Sequence, residues 1–229
     1  MSINKVKHNS NMYNWVYGTW NPIKGNCKLH NCTYCYMKRF AQRKLRLDES
    51  YLEIDNLKSE RTYFVGSSTD MWANDVPTEW IEKVLKKCNN FPDNTYLFQS
   101  KNPGRFKEFI GKFPPNTILG TTIETNYNHL TSKYSQAPPP LERYLQMVLI
   151  SELFPKGKTI LSLEPIMDFD IDIMVKWVKK INPEFISIGA NSGNINLIEP
   201  SKEKVELLIK ELKGLTKVIE KDNLSRLLK

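Results

Sequence analysis

The 229-residue chain reads as an α/β protein in which strand and helix alternate about six times around a parallel sheet. Two observations lead there. Short runs nearly continuous in Val, Ile, Leu, Tyr and Phe are spaced along the chain, as expected of strands covered on both faces. Between them lie segments whose apolar residues recur at three and four, the period of an amphipathic helix.

In chain order, the first strand is expected within "YNWVYGTW" (13–20), with a helix after the cysteine-rich stretch, over 36–46. "RTYFVGSS" (61–68) is the second strand. It leads into a helix over 77–89, where Pro77 suits the start and Trp80, Ile81, Val84, Leu85 and Cys88 share a face. "NTYLFQS" (94–100) is followed by a short helix from Pro103, and then by "NTILGTTIE" (116–124). The helix over 141–153 is expected to bury Leu141, Tyr144, Leu145, Val148, Leu149 and Leu153. "KTILSLEPI" (158–166) precedes a helix over 171–181, carried by Ile171, Met174, Val175, Val178 and Ile181. "EFISIGA" (184–190) precedes a helix over 201–213, with Ser201 as N-cap and Gly214 as stop. "TKVIE" (216–220) closes the series. The polar segment 46–60 and the stiff loop "SQAPPP" (135–140) do not look like domain boundaries, so a single domain over 1–229 is expected. This pattern suits an open doubly wound sheet or a partial or full barrel.

Composition narrows the function classes. The chain is 40% hydrophobic and 25% charged, ordinary for a globular protein. No run of about eighteen apolar residues occurs, so no membrane span is expected. The first residues lack the apolar stretch of a signal peptide, which makes the cytoplasm the expected location. Lys and Arg number 33 against 25 Asp and Glu, a net charge of +8. Such an excess suits an anionic partner such as nucleic acid; a lysine-rich coding bias produces the same figure.

Cys27, Cys32 and Cys35 follow the pattern C-x4-C-x2-C, on a loop after the first strand, where sites of such folds form. In a reducing compartment such thiols bind metal more often than they pair as disulfides. A closed zinc site needs a fourth ligand, with His30, His8 or His129 as candidates. A 4Fe–4S cluster held by three cysteines leaves one iron open. Spacing alone leaves zinc and cluster both standing. Cys88 falls on the apolar face of a helix and reads as core.

The surrounding residues carry a resemblance. "WNPIKGNCKLHNCTYCYMKRF" (20–40) resembles the cluster-binding loop of radical S-adenosylmethionine (radical SAM) enzymes, in which an aromatic, here Tyr34, precedes the third cysteine. The Asn-Pro lead-in and the Tyr after the last cysteine are similar to spore photoproduct lyase-like proteins. The resemblance is closer to a small radical-SAM-like family of phages, bacteria and archaea. Its blocks read here, in order, "WNP…CTYCY", "SSTDMWANDVP" (67–77), "YLFQSKNP" (96–103), "LGTTIET" (119–125), "LSLEPI" (161–166) and "IGANSGN" (188–194). The chain departs from the superfamily in having four residues, not three, between its first two cysteines.

The resemblance implies a partial parallel (β/α)6 barrel. It also implies a 4Fe–4S cluster on Cys27, Cys32 and Cys35 whose open iron is chelated by S-adenosylmethionine (SAM). Reductive cleavage would give a 5′-deoxyadenosyl radical that abstracts hydrogen from a substrate, with a flavodoxin or ferredoxin as reductant. Ser67, Ser68, Thr69 and Asp70 fall where the superfamily contacts the methionyl amine, and Thr122 and Glu124 where relatives hold the ribose. Lys101 and Glu164 each end an apolar strand; SAM, substrate, each other, or a structural ion pair would satisfy them. Asn191 and Ser192 fall where adenine or methionine is contacted, although a Gly-bounded turn explains Asn191 equally well. Tyr34 joins the cofactor set and His30 reads as a loop residue, while Trp20 and Trp72, beside the site, would pack in the core or else stack on a base or shape the pocket. The run "KRFAQRKLR" (38–46), on a helix beside the mouth, would track a phosphate backbone or stand as a solvated face. A nucleic acid or nucleotide is the expected substrate, a peptide or small metabolite the other. The alternative from a different class is a non-catalytic zinc- or cluster-binding module that grips nucleic acid.

Overall fold

The computed structural model describes residues 4–5, 13–26, 28–41, 43–53, 57–193 and 195–229. The strands are β1 (Asn4–Lys5), β2 (Gly18–Trp20), β3 (Ile23–Lys24), β4 (Arg46–Leu47), β5 (Thr62–Val65), β6 (Thr95–Ser100), β7 (Thr117–Thr122), β8 (Lys158–Leu163), β9 (Phe185–Ile188) and β10 (Lys217–Glu220). The α-helices are α1 (Ser50–Glu53), α2 (Thr78–Asn89), α3 (Asn128–Thr131), α4 (Pro140–Leu153), α5 (Ile171–Ile181) and α6 (Lys202–Lys213). Helices of 3-10 type cover Tyr36–Arg39, Pro103–Lys112 and Asp222–Leu227.

One sheet runs β1-β2-β5-β6-β7-β8-β9-β10, parallel throughout except for the antiparallel edge pair β1–β2. β3 and β4 form a separate antiparallel ribbon. The architecture is the partial parallel α/β barrel expected above. Among the described residues no helix is long and apolar enough to cross a membrane.

Burial on both sheet faces accounts for the continuous apolar strands. Tyr63, Val65, Tyr96, Phe98, Leu119, Leu161, Leu163, Ile186 and Ile188 point toward the helices and join the main core. Residues of the opposite parity, Phe64, Leu97, Ile118, Ile160 and Phe185, form a second cluster with Tyr13 and Val16 on the inner face. Gly120 keeps that layer tight, because a Cβ there would stand 2.7 Å from Ile160 Cγ1. Further along, Thr122, Ser162 and Ser187 are neighbours in register, so the inner face turns polar toward the carboxyl ends of the strands.

Three expectations are corrected. The helix over 36–46 does not form: a single 3-10 turn ends at extended Phe40, and the chain returns as β4. Tertiary anchors override propensity there, since Tyr36 and Arg39 bond to other loops and Arg43 N donates to Asn26 Oδ1 at 2.9 Å. Residues 13–17 precede the strand instead of joining it; a turn closed by Val16 N to Tyr13 O (3.2 Å) seats them on the inner face. Helix α4 buries Arg143, Met147 and Ile150, while Leu141, Leu145 and Leu153 stay exposed. The other helices bury the faces expected, and Ser201 Oγ caps α6 by accepting from Lys204 N.

Candidate metal and cofactor site at the barrel mouth

Because the strands are parallel, the residues that follow them meet at one end of the sheet. The cysteine loop after β2 is laid across that end and fastened on both sides. His30, buried, places Nδ1 3.2 Å from Asp70 Oδ2 after β5. On the other side Thr33 N donates to Tyr134 O (2.7 Å) and Gln136 N to His30 O (2.8 Å). Cys32 Sγ lies 3.1 Å from Ser135 Oγ. The same loop is pinned to β5 by Asn21, whose Oδ1 accepts from Ser67 Oγ and Ser68 N.

Cys32 and Cys35 line one cavity of about 310 Å³, together with Asn26, Lys28, Asn31, Met37, Lys38 and Ser68. Burial pushes the Cys35 thiol up from its ordinary value. Cys27 lies outside the described residues, as does His8, and the two sequence neighbours of Cys27 both belong to the wall of this cavity. Among the described residues no three His, Cys, Asp or Glu side chains form a metal-binding group. Two thiols on one wall are the soft donors an iron–sulfur cluster or zinc requires. His30 Nδ1 is engaged by Asp70, and His129 is exposed on α3. A larger hollow, about 440 Å³, opens near Lys158 and Glu184 at the opposite, amino-terminal end of the strands.

Asp70 is a structural node. Its Oδ2 accepts from Ser100 Oγ (3.0 Å), Lys101 N (2.9 Å) and His30, and its Oδ1 accepts from Trp72 N (3.0 Å). Burial acts to raise its carboxyl, but His30 and the donated hydrogen bonds hold it below the usual carboxylate value. Thr69 Oγ1 donates to Gly25 O (2.7 Å), and Trp72 and Trp20 are fully buried core residues.

Beside the cavity sits a quartet in which Glu124 and Arg143 are buried and Tyr34 and Lys101 half-buried. Glu124, with no exposure, accepts at Oε1 from Tyr34 Oη (2.6 Å) and Lys101 Nζ (2.5 Å). Its Oε2 accepts from Arg143 Nη1 (2.7 Å). Lys101 Nζ also donates to Tyr34 Oη (2.8 Å) and sits 4.2 Å from its ring centre. Arg143 continues to Thr122 O (2.8 Å) and Pro138 O (2.6 Å). Burial would raise the Glu124 carboxyl, but Arg143 and Lys101 push it down to about 2. Burial opposes the charge on Lys101; Cys32, Glu124 and Tyr34 more than offset it and raise its pKa. Tyr34, adjacent to Cys35, thereby ties the cysteine loop to β6, β7 and α4.

Across the mouth, Glu164 pairs with Lys221 Nζ (2.5 Å) and accepts from Asn223 Nδ2 (3.2 Å). Gly189 admits that carboxylate, since a Cβ there would meet Glu164 Cδ at 2.8 Å. Asn191 Nδ2 donates to Ile195 O (2.6 Å), its Oδ1 accepts from Gly193 N (3.0 Å), and Ser192 Oγ meets Asn223 Nδ2 (2.8 Å). Thr122 Oγ1 accepts from Gln99 Nε2 (3.1 Å). Sequence reasoning placed Lys101 and Glu164 at strand ends but missed their partners. Arg143 reads as a surface residue of an amphipathic helix, nothing in the sequence marks Ser135 or Lys221, and Asn21 stands in the Asn-Pro lead-in without a role assigned to it.

A family model matches residues 10–147, more than half of the chain. The chain belongs to that family, described as protein of unknown function (DUF5131). No curated protein matches this family member. Solved structures do. A cysteine-to-alanine variant of spore photoproduct lyase with dinucleoside spore photoproduct superposes with a TM-score of 0.66 at 8% identity, covering 94% of this chain and 80% of that one. Streptococcus suis SuiB bound to S-adenosylmethionine gives 0.63 at 10% identity, covering 89% of this chain and 49% of SuiB. SuiB bound to its precursor peptide SuiA gives 0.65, also at 10%. This chain thus spans about half the length of SuiB. At such identities the likeness is one of fold: the sheet is the partial α/β barrel of those structures.

Proposed function

We propose that this chain is a radical SAM enzyme of a single domain. Cys27, Cys32 and Cys35 hold a 4Fe–4S cluster, and SAM occupies the open end of the barrel. The observation that carries the reading is the pair Cys32 and Cys35 on one cavity with Ser68, at the carboxyl ends of the strands of this particular barrel. A cluster held by these cysteines would supply the single electron for reductive cleavage of the SAM sulfonium, with methionine as leaving group.

The chain's own residues bind and orient. Ser67 and Ser68 offer hydroxyls to the methionyl amine, while Thr69 and Asp70 keep the loops that bear them in place. The Tyr34–Lys101–Glu124–Arg143 quartet is a rigid charged wall beside the cysteines, with Thr122 next to it. Glu164 and Asn191 line the far side of the mouth. A nucleotide or nucleic-acid substrate agrees with the basic charge, and with a superposed structure that holds a dinucleoside. The protein works in the cytoplasm with a flavodoxin or ferredoxin as electron source, and it belongs with the small radical-SAM-like proteins that share its six ordered blocks.

Anaerobic purification tests this. A protein with about four irons and four sulfides per chain, releasing 5′-deoxyadenosine from SAM under dithionite, is expected; Cys32→Ala and Cys35→Ala should each abolish both. A colourless protein with one zinc per chain would overturn the reading in favour of a non-catalytic metal module.

A further inference from the structure

The positive charge of this chain is not spread over its surface. Residues 1–47 carry nine Lys and Arg and no Asp or Glu, whereas residues 48–229 carry 24 against 25. A coding bias toward lysine would raise the count everywhere; it would not empty one segment of acids. Elsewhere exposed cations are interspersed with acids, and several pair with them, as in Lys83–Glu49, Lys112–Glu82 and Lys158–Glu184, while others, such as Lys107, Lys133 and Lys176, form no ion pair among the described residues. Around the cysteine loop Lys28, Lys38, Arg39, Arg43, Lys44 and Arg46 are all exposed, and among the described residues none of the six forms an ion pair.

Their placement follows from the helix that does not form. The 3-10 turn at Tyr36–Arg39 ends at extended Phe40 and the chain returns as β4 at Arg46, so Lys38, Arg39, Arg43, Lys44 and Arg46 do not share one helical cylinder. Lys28 and Lys38 stand on the wall of the cysteine cavity itself. Arg39 Nη2 donates to Ser192 O (2.7 Å), on the loop after β9, so the segment crosses the mouth. Two aromatic rings rise between the cations: Tyr36, 48% exposed, and Phe40, 60% exposed. Tyr36 is fixed from behind, its hydroxyl donating to Ser67 O at 2.9 Å, which leaves a ring face presented to solvent.

A row of cations tracks phosphates, and rings set among them stack on bases. Bases can stack on side chains only when they are not already stacked in a duplex. We propose that the rim formed by residues 28–46 binds a single-stranded nucleic acid. Its phosphates lie along the six cations and its bases on Tyr36 and Phe40, which brings the strand over the barrel mouth. This rests on the catalytic reading above for what the bound strand is then used for, but the contact itself needs no turnover.

The test uses the full chain, purified without air, and a fluorescein-labelled oligothymidylate followed by anisotropy across a salt series. Affinity should fall with salt by a log–log slope of about −0.7 for each phosphate contacted. The triple variant Arg43→Gln, Lys44→Gln, Arg46→Gln should flatten that slope by about two and weaken binding more than about tenfold at low salt. Phe40→Ala should weaken binding about tenfold with the slope unchanged, the mark of a stacking contact. No binding at low salt, tighter binding of a duplex of the same length, or insensitivity to both variants would overturn the proposal. Release of 5′-deoxyadenosine, measured in the same preparation, keeps the two readings separate. Oligonucleotide binding without release overturns the catalytic one alone, and release without binding overturns this one alone.

Discussion

At the scale of single residues, the strongest physical statement concerns Glu124. A carboxylate with no solvent exposure survives as an anion only because three donors from three elements converge on its two oxygens. Its carboxyl lies near pH 2 in the fold, against an ordinary 4.5. The charged form is therefore bound more tightly by the native state than by the unfolded chain. That contribution is complete above about pH 4.5 and disappears as pH falls toward 2. The expected outcome is a urea midpoint that drops steeply in this window for the wild type. Glu124→Gln should start lower at neutral pH and change much less across the same window. Equal slopes for the two proteins would show that Glu124 is not the group being titrated. Asp70 works in the same sense, engaged on both oxygens, and its chemistry shows why an aspartate after a strand is ambiguous in a sequence. The same residue type suits an ammonium ligand and a loop anchor.

At the scale of the element, α4 is the instructive case. Its leucines at three-and-four spacing advertise an apolar face, yet the side turned inward carries Arg143 together with Met147 and Ile150. Periodicity weighs each side chain by its own transfer preference, and by that measure an arginine belongs outside. Glu124 on the β7 loop and the carbonyls of Thr122 and Pro138 reverse the preference, and the first two lie about twenty residues from Arg143 in sequence. Met147→Ala should accordingly cost about 2–5 kcal/mol of stability, while Leu145→Ala, 54% exposed, should stay within about 0.5 kcal/mol. Denaturant midpoints decide between this orientation and the one the leucines suggest. The cysteine segment makes the same point about local signals. A helix over 36–46 is plausible by propensity, but bonds from Tyr36, Arg39 and Arg43 to distant loops select another path.

At the scale of the molecule, one main core runs from Trp20 in β2 to Leu224 near the carboxyl end, and the smaller inner cluster is built from alternate residues of the same strands, so the two share their backbone. Unfolding by urea should therefore appear as one transition, with tryptophan fluorescence and far-ultraviolet circular dichroism coinciding. Two separated transitions would divide the chain into independent units. The fold class, the order of the main parallel strands and the buried faces of α2, α5 and α6 were legible in the sequence. Each depends on residues close together in the chain: apolar period, capping chemistry, and the rule that parallel strands share one carboxyl end. The charge asymmetry of residues 1–47 was equally present in the sequence, but its meaning was not, because a helix and a rim display the same cations differently. Only the tertiary structure decided that Tyr34, Lys101, Glu124 and Arg143 form one set, that His30 serves Asp70, and that Glu164 faces Lys221. Those pairings join residues up to 90 positions apart. What brings charges together at such separations is closure of the sheet, which makes burial affordable only where opposite partners arrive at the same place, and a linear pattern does not encode that coincidence.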